Sequence, residues 1–253
     1  MTELVQYRTA AQGYGEIKLN RPDKMNAVSN EMAASFRKAI ETAKQQPIKF
    51  LVITASGELM FCAGGDLKDL HGDMNSDEAF ATLYPMKEVL YEIVSFPVPT
   101  VCLLNGDAMG GGCEIATACD FRIAREHARF GFVQTKLGII PGWGGGVLLY
   151  EKVHPAFAFQ WLMEAEKHEV SFLHDRCWIQ RVAADNEWND RDTLLRPYLS
   201  KSLEQMKILK NQYKKKISSL SLSAQMDDEV RNCAELWETK EHKEAVRQFF
   251  SRK

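Results

Sequence analysis

No apolar run in this 253-residue chain approaches the roughly 20 residues that a membrane-spanning helix needs. The opening residues, MTELVQYRTAA, lack the basic and apolar regions of a signal peptide. Neither sign of charge dominates: 32 Lys and Arg stand against 34 Asp and Glu. That balance argues against a general nucleic-acid binder and leaves room only for a local basic patch. The six cysteines, Cys62, Cys102, Cys113, Cys119, Cys177 and Cys233, include no CxxC pair. Most sit in apolar segments, so buried free thiols in a reducing compartment are expected rather than a disulfide framework. There is no GxxxxGK[ST] phosphate loop, and GDAMGG does not complete a GxGxxG fingerprint. The six histidines form no HExxH or other metal spacing, so no metal site is expected. A GxSxG elbow is also absent. These absences leave a soluble, cytoplasmic chain with no membrane or nucleic-acid partner, long enough to bury a full core.

What the chain does have is organised around residues 105–143, NGDAMGGGCEIATACDFRIAREHARFGFVQTKLGIIPGW. Upstream, VQYR and YGEIKLN alternate as two paired strands, with Gly13 near the turn. The loop NRPDKMNAV then leads to a helix capped by Asn30, with Met32, Phe36, Ile40 and Ala43 at helical spacing. KFLVITA reads as a buried strand, and strand-helix-strand predicts a parallel crossover. MFCAGGDLKDL supplies a glycine turn entering a short helix at Asp66. HGDMNSDEA is polar and expected to be mobile. A helix is predicted over 77–94, kinked or restarted at Pro85. TVCLLN is another buried strand and runs into the central stretch. Strand, glycine turn and short helix thus occur at 49–70 and again at 100–118, the pattern of a ββα spiral. After Trp143, VLLYEKV, AFAFQWLMEA and SFLHDRCWIQRV read as short amphipathic helices. A boundary near 190 separates a core (1–190) from a C-terminal helical region (191–253). The basic run KNQYKKK at 210–216 reads as a solvated helix face.

Two glycine turns, Gly64-Gly65 and Gly110-Gly111-Gly112, each follow an apolar strand. Were those strands parallel neighbours, both turns would open at one edge and two backbone N–H groups would converge on one oxygen. Tight helix-strand packing explains the glycines equally well. Glu114 lies two residues further on, between Cys113 and Ile115. A carboxylate in such surroundings is desolvated and raised in pKa, which suits acid–base work. The competing account is a helix-start carboxylate satisfied by local N–H groups. Asp120 and Arg122 read as structural hydrogen-bonding groups.

These residues resemble the crotonase superfamily, the enoyl-CoA hydratase/isomerase family. The matching segments are LNRPDKMNAV, FCAGGDLKDL, NGDAMGGGCEIATACDFRIA and FGFVQTKLGIIPGWGGG, across about residues 15–150, and the tail ending VRQFFSRK is similar in kind. The resemblance implies an α/β fold, a crotonase-like ββα spiral with a C-terminal helical trimerisation layer. It implies a homotrimer or dimer of trimers acting on an acyl-CoA, with coenzyme A entering as part of the substrate and no separate cofactor. By position, Gly65 and Gly111 become the oxyanion donors and Glu114 the first catalytic glutamate. Lys24, Met25, Ala27, Ala63, Asp66 and Leu67 become the coenzyme A contacts, with Gly142 and Trp143 at the acyl pocket.

Two departures from the family pattern matter. Gln134 stands where hydratases carry a second glutamate, and an amide does not exchange a proton at neutral pH. TACDFR followed by GIIPGWGG resembles the ethylmalonyl- and methylmalonyl-CoA decarboxylases, which lack that second acid. HEVSFLHDRCWIQRV replaces an Ala-rich helix and a Gly-Leu-Val, so the outer wall of the acyl pocket is expected to differ. Decarboxylation of a carboxyacyl-CoA is therefore the expected reaction. Hydration or isomerisation through Glu114 is the alternative, and a non-catalytic acyl-CoA-binding scaffold is the reading from another class.

Overall fold

The fold begins with a hairpin. In the computed structural model, which describes residues 3–70, 74–217 and 221–251, β1 (Val5–Thr9) pairs antiparallel with β2 (Gly15–Leu19). Helix α1 (Asn30–Lys44) follows, and its cap is Ser29 rather than Asn30. The Ser29 hydroxyl accepts from Met32 N at 3.2 Å, which makes Asn30 the first helical residue. Met32, Phe36, Ile40 and Ala43 are all buried on one face.

From here a unit repeats. The strands β3 (Leu51–Ala55) and β4 (Met60–Cys62) lead to α2 (Leu67–Leu70). After α3 (Ser76–Val94) come β5 (Thr100–Leu104), β6 (Asp107–Met109) and α4 (Gly111–Ala118). A third turn supplies β7 (Phe121–Arg125), β8 (Arg129–Gly131) and a 3₁₀ turn at Gln134–Leu137. The long strands β2, β3, β5 and β7 run parallel in one sheet, and β4, β6 and β8 run parallel in a second. Two of these units are visible in the sequence and three exist, because three-residue strands are too short to display a period.

The rest of the chain is α5 (Gly145–Lys152), α6 (Pro155–Glu164), β9 (His168–Glu169), α7 (Val170–Asp175), β10 (Arg181–Ala183), α8 (Asp185–Trp188), α9 (Arg191–Leu199), α10 (Leu203–Ile217), α11 (Leu222–Leu236) and α12 (Lys240–Ser251). β10 completes a six-stranded sheet beside β7, and β9 a four-stranded one beside β8. Helix over the whole of SFLHDRCWIQRV is therefore a misreading. The helix stops at Asp175, Cys177 turns the chain at φ +62, and Arg181–Ala183 is a strand. Pro85 neither ends nor restarts α3. It lies with Ala81 on the exposed face, where water can take up the carbonyl that Pro85 leaves unbonded. A capping box between Asn75 and Glu78 starts that helix. Residues 71–73 of the segment expected to be mobile lie outside the described residues.

The large sheet is covered on both faces, which is why LVITA and TVCLL read as unbroken apolar runs. One face packs Leu51, Ile53, Cys102 and Leu104 against α1, α3, α4 and α11. On the other, Val52, Val101, Leu103 and Ile123 pack against Leu194, Leu195 and Met206 of α9 and α10. The basic run on α10 is not merely solvated. Lys210 is buried and ion-pairs with Asp120 at 2.5 Å, and Lys214 donates to Ser95 O at 2.8 Å. Asp120 also accepts from Thr100 N and Oγ1, while Arg122 donates to Trp178 O, Ala116 O and Cys119 O. Both are structural. All six cysteines are free thiols, and five are buried; Cys177 is exposed, against expectation, because it sits at a surface corner.

Candidate active site

The two glycine turns meet. Gly64-Gly65 follows β4 and Gly110-Gly111 follows β6, and these strands are parallel neighbours, so both turns leave the sheet at the same edge. Gly64 adopts φ +97, and a Cβ on it would lie 3.0 Å from Met109 O and 3.1 Å from Gly111 N. Only glycine permits both that backbone and that approach. Residues 63–66 run alongside 25–28: Ala63 N donates to Met25 O (3.0 Å), Val28 N to Gly64 O (2.8 Å) and Asp66 N to Val28 O (2.9 Å). Gly65 N faces away from that ladder. Gly111 N opens α4, where no intrahelical acceptor exists. Neither amide has a hydrogen-bond acceptor among the described residues. The pair has the form of an oxyanion hole.

Glu114 lies one turn into α4 and is buried, 2 % exposed. Its Oε2 accepts from Trp143 N and Gly145 N, both at 2.9 Å, and its Oε1 from Gln134 Nε2 at 2.9 Å. Burial pushes the carboxyl above the ordinary carboxylate range, and the three N–H donors only partly oppose it. The desolvated-acid account of this residue thus holds, and the locally satisfied one does not, although the carboxylate is fully hydrogen-bonded. The N–H groups that satisfy it come from Trp143 and Gly145 at the entry to α5 and from the Gln134 side chain, not from its own helix.

Gln134 is buried beside Gly110, and its Oε1 has no hydrogen-bond partner. Trp143 is buried with its indole against Gly111, so closely that a Cβ on Gly111 would overlap the ring. Its neighbour Gly142 faces α11 instead, where a Cβ would lie 2.8 Å from Cys233 Sγ. Among the expected coenzyme A contacts, Lys24 and Met25 are exposed and Ala27, Ala63, Asp66 and Leu67 are half-buried. The paired segments 25–28 and 63–66 bring four of them, Met25, Ala27, Ala63 and Asp66, to one rim. Burial raises the Asp66 carboxyl, but the Arg21 hydrogen bond at 2.6 Å, the Arg21 charge and the Lys68 and Asp69 amides together outweigh it and hold the carboxyl below the usual range.

Several residues around this site went unread in the sequence. Asn26 is fully buried and pins the 21–28 loop, donating to Ser56 O and Met60 O and accepting from Arg21 N. An asparagine buried in a Pro-Asn loop looks like any other turn former. Glu229 of α11 accepts from Gly146 N (3.2 Å) and Val147 N (2.7 Å), with no local motif to announce it. Trp178, fully buried, lies beneath α4 and donates to Thr117 Oγ1 at 3.0 Å. It occupies the segment where departure from the family pattern was expected. Glu126, His127 and Asp185 bring three possible metal donors within 4.8 Å of one another, but all are exposed and Asp185 is bound to Arg125.

The chain belongs to the enoyl-CoA hydratase/isomerase family, whose sequence model matches residues 9–253. It is similar to mouse (Mus musculus) enoyl-CoA hydratase domain-containing protein 2, mitochondrial, with 32% identity over 177 residues, 70% of this chain and 60% of that protein. It is similar to ethylmalonyl-CoA decarboxylase of Xenopus tropicalis, with 32% identity over 174 residues, 69% of this chain and 56% of that one. Across such curated relatives the chain spans 40% to 65% of their length. The crystal structure of enoyl-CoA hydratase from Bacillus halodurans superposes with a TM-score of 0.86 at 24% identity, covering 97% of this chain and 99% of that one. That likeness carries the fold: an α/β, crotonase-type spiral of ββα units.

Proposed function

We propose that this protein acts on an acyl-CoA thioester through an enolate, and that its reaction is decarboxylation of a carboxyacyl-CoA. The observation that carries this reading is the buried Glu114 carboxyl, raised in proton affinity by burial, beside two unpartnered glycine amides and with an amide, Gln134, as its side-chain partner. The thioester oxygen would accept from Gly65 N and Gly111 N. The bond from the α-carbon to the substrate carboxylate breaks, its electron pair passes into the thioester as enolate, and carbon dioxide leaves. Glu114 in its acid form then donates a proton to the α-carbon and recovers one from solvent. Each oxyanion donor contributes roughly 2.7–4 kcal/mol to the transition state. No second base is required, in keeping with Gln134. The indole of Trp143 against Gly111 narrows the acyl side and favours a short, branched acyl group over a long chain.

Hydration is the second reading, and one atom favours it: the unpartnered Oε1 of Gln134, which is suited to hold a water beside Glu114. Supplying purified protein with crotonyl-CoA, methylmalonyl-CoA and ethylmalonyl-CoA separates the two. Carbon dioxide release without hydration, lost at least 100-fold in Glu114→Gln, is the expected result. Robust hydration of crotonyl-CoA would sink the decarboxylase reading. Gln134→Glu should raise hydration. Binding of every thioester with no turnover would favour a scaffold. We also propose a homotrimer or dimer of trimers, supported by exposed apolar side chains on α6 (Phe159, Met163) and α10 (Ile208, Leu209). A monomer in sedimentation velocity would contradict it.

A further inference from the structure

The turn that holds Glu114 is itself held by a second buried carboxylate. The N–H groups of Trp143 and Gly145 go to Glu114, and the next two, Gly146 and Val147, go to Glu229 of α11. The same contacts account for the glycines of GWGGG. A Cβ on Gly145 would overlap the Glu114 side chain, and one on Gly146 would lie 2.5 Å from Glu229 Oε2. One helical turn before Glu229, Met226 packs against Gly144, and one turn after it Cys233 packs against Gly142. A single face of α11 therefore lies on the whole 142–146 turn. Two acids from distant parts of the chain share the N-terminus of one helix.

From this geometry we infer that Glu229 is a positioning residue for the acid–base chemistry, fixing the α5 turn that orients Glu114 and titrating with Glu114 as a pair. The inference rests on Glu114 being the proton-transfer group. Among the described residues the hydrogen-bond partners of Glu229 are backbone amides alone, and it forms no ion pair. The other titratable groups that sense it are Tyr150 on α5 and Cys233 on α11, both raised by burial and so neutral around pH 7. Burial first, and then the nearby Glu114, push Glu229 well above the ordinary carboxylate range. Two acids in one buried site titrate as a pair, with the last proton leaving later than it would from either acid alone.

The test is a pH titration of the buried carboxylic C=O stretch by difference infrared spectroscopy on the full chain, with Glu114→Gln used to identify the Glu114 signal. In Glu229→Gln the last carboxylic proton of the site should leave about one pH unit or more below the last wild-type midpoint. Glu229→Asp keeps the charge and should keep the midpoint. If the enzyme is active, the alkaline limb of kcat should move with the infrared midpoint. If no thioester is turned over, the proposed function fails while the infrared midpoint still tests the pairing. A folded Glu229→Gln protein with an unshifted midpoint overturns the inference, as does an Asp variant that shifts as far as the Gln variant.

Discussion

Glu114 is held by groups that favour its charge inside surroundings that oppose it. Three N–H donors would lower its pKa, burial raises it, and burial wins. The folded state thus keeps this proton to a higher pH than the unfolded chain, whose carboxyl titrates at its ordinary 4.5. The resulting stability is fully present below the unfolded value and is lost as pH rises through the folded one. Glu114→Gln carries no charge at any pH, so its melting temperature should gain on the wild type as pH rises from about 4 toward 8. A gap that stays constant would mean the N–H donors match burial, and one that runs the other way that they outweigh it.

Among the elements, the corner between α7 and β10 shows what local pattern conceals. Cys177 takes φ +62 there, exposed, a left-handed conformation that glycine adopts most readily. A left-handed backbone costs a non-glycine residue about 1–2 kcal/mol, partly offset by the entropy that glycine loses on folding. Cys177→Gly should therefore stabilise the protein by about 0.5 kcal/mol, read as a higher urea midpoint at unchanged slope. A lower midpoint would show that the thiol makes contacts of value. The sequence makes legible whatever its own neighbours determine: the apolar runs of β3 and β5, the glycine turns, and Glu114 between Cys113 and Ile115. It hides what depends on distant partners. Glu229 lies 83 residues from Gly146, and Lys210 lies 90 from Asp120. The short strands β4, β6 and β8 exist only because they pair with one another, and Ser29 outcompetes Asn30 as a cap through a hydrogen bond that spacing does not reveal.

Across the whole molecule, the C-terminal helices are tied to the spiral by buried charge as well as apolar packing. Both partners of Asp120–Lys210 are almost fully buried. Desolvation lowers the Lys210 pKa, and Asp120 offsets that only in part. Lys210→Met leaves Asp120 uncompensated and should cost about 3–5 kcal/mol, whereas Asp120→Asn with Lys210→Met should recover most of it. Chemical denaturation of the two single variants and the double variant measures this directly. A single variant losing less than about 1 kcal/mol would show the pair to be no tether.

That tether and Glu229 have a consequence for biosynthesis. A ribosome delivers Gly65, Gly111, Glu114 and Gln134 first. Lys210 and Glu229, which clamp the strand edge and the α5 turn, emerge some 75 to 95 residues after Gln134. A nascent chain can wind its spiral before then, but its acid has no fixed seat until α11 arrives. The seat of Glu114 is in this sense completed well after Glu114 itself has been made.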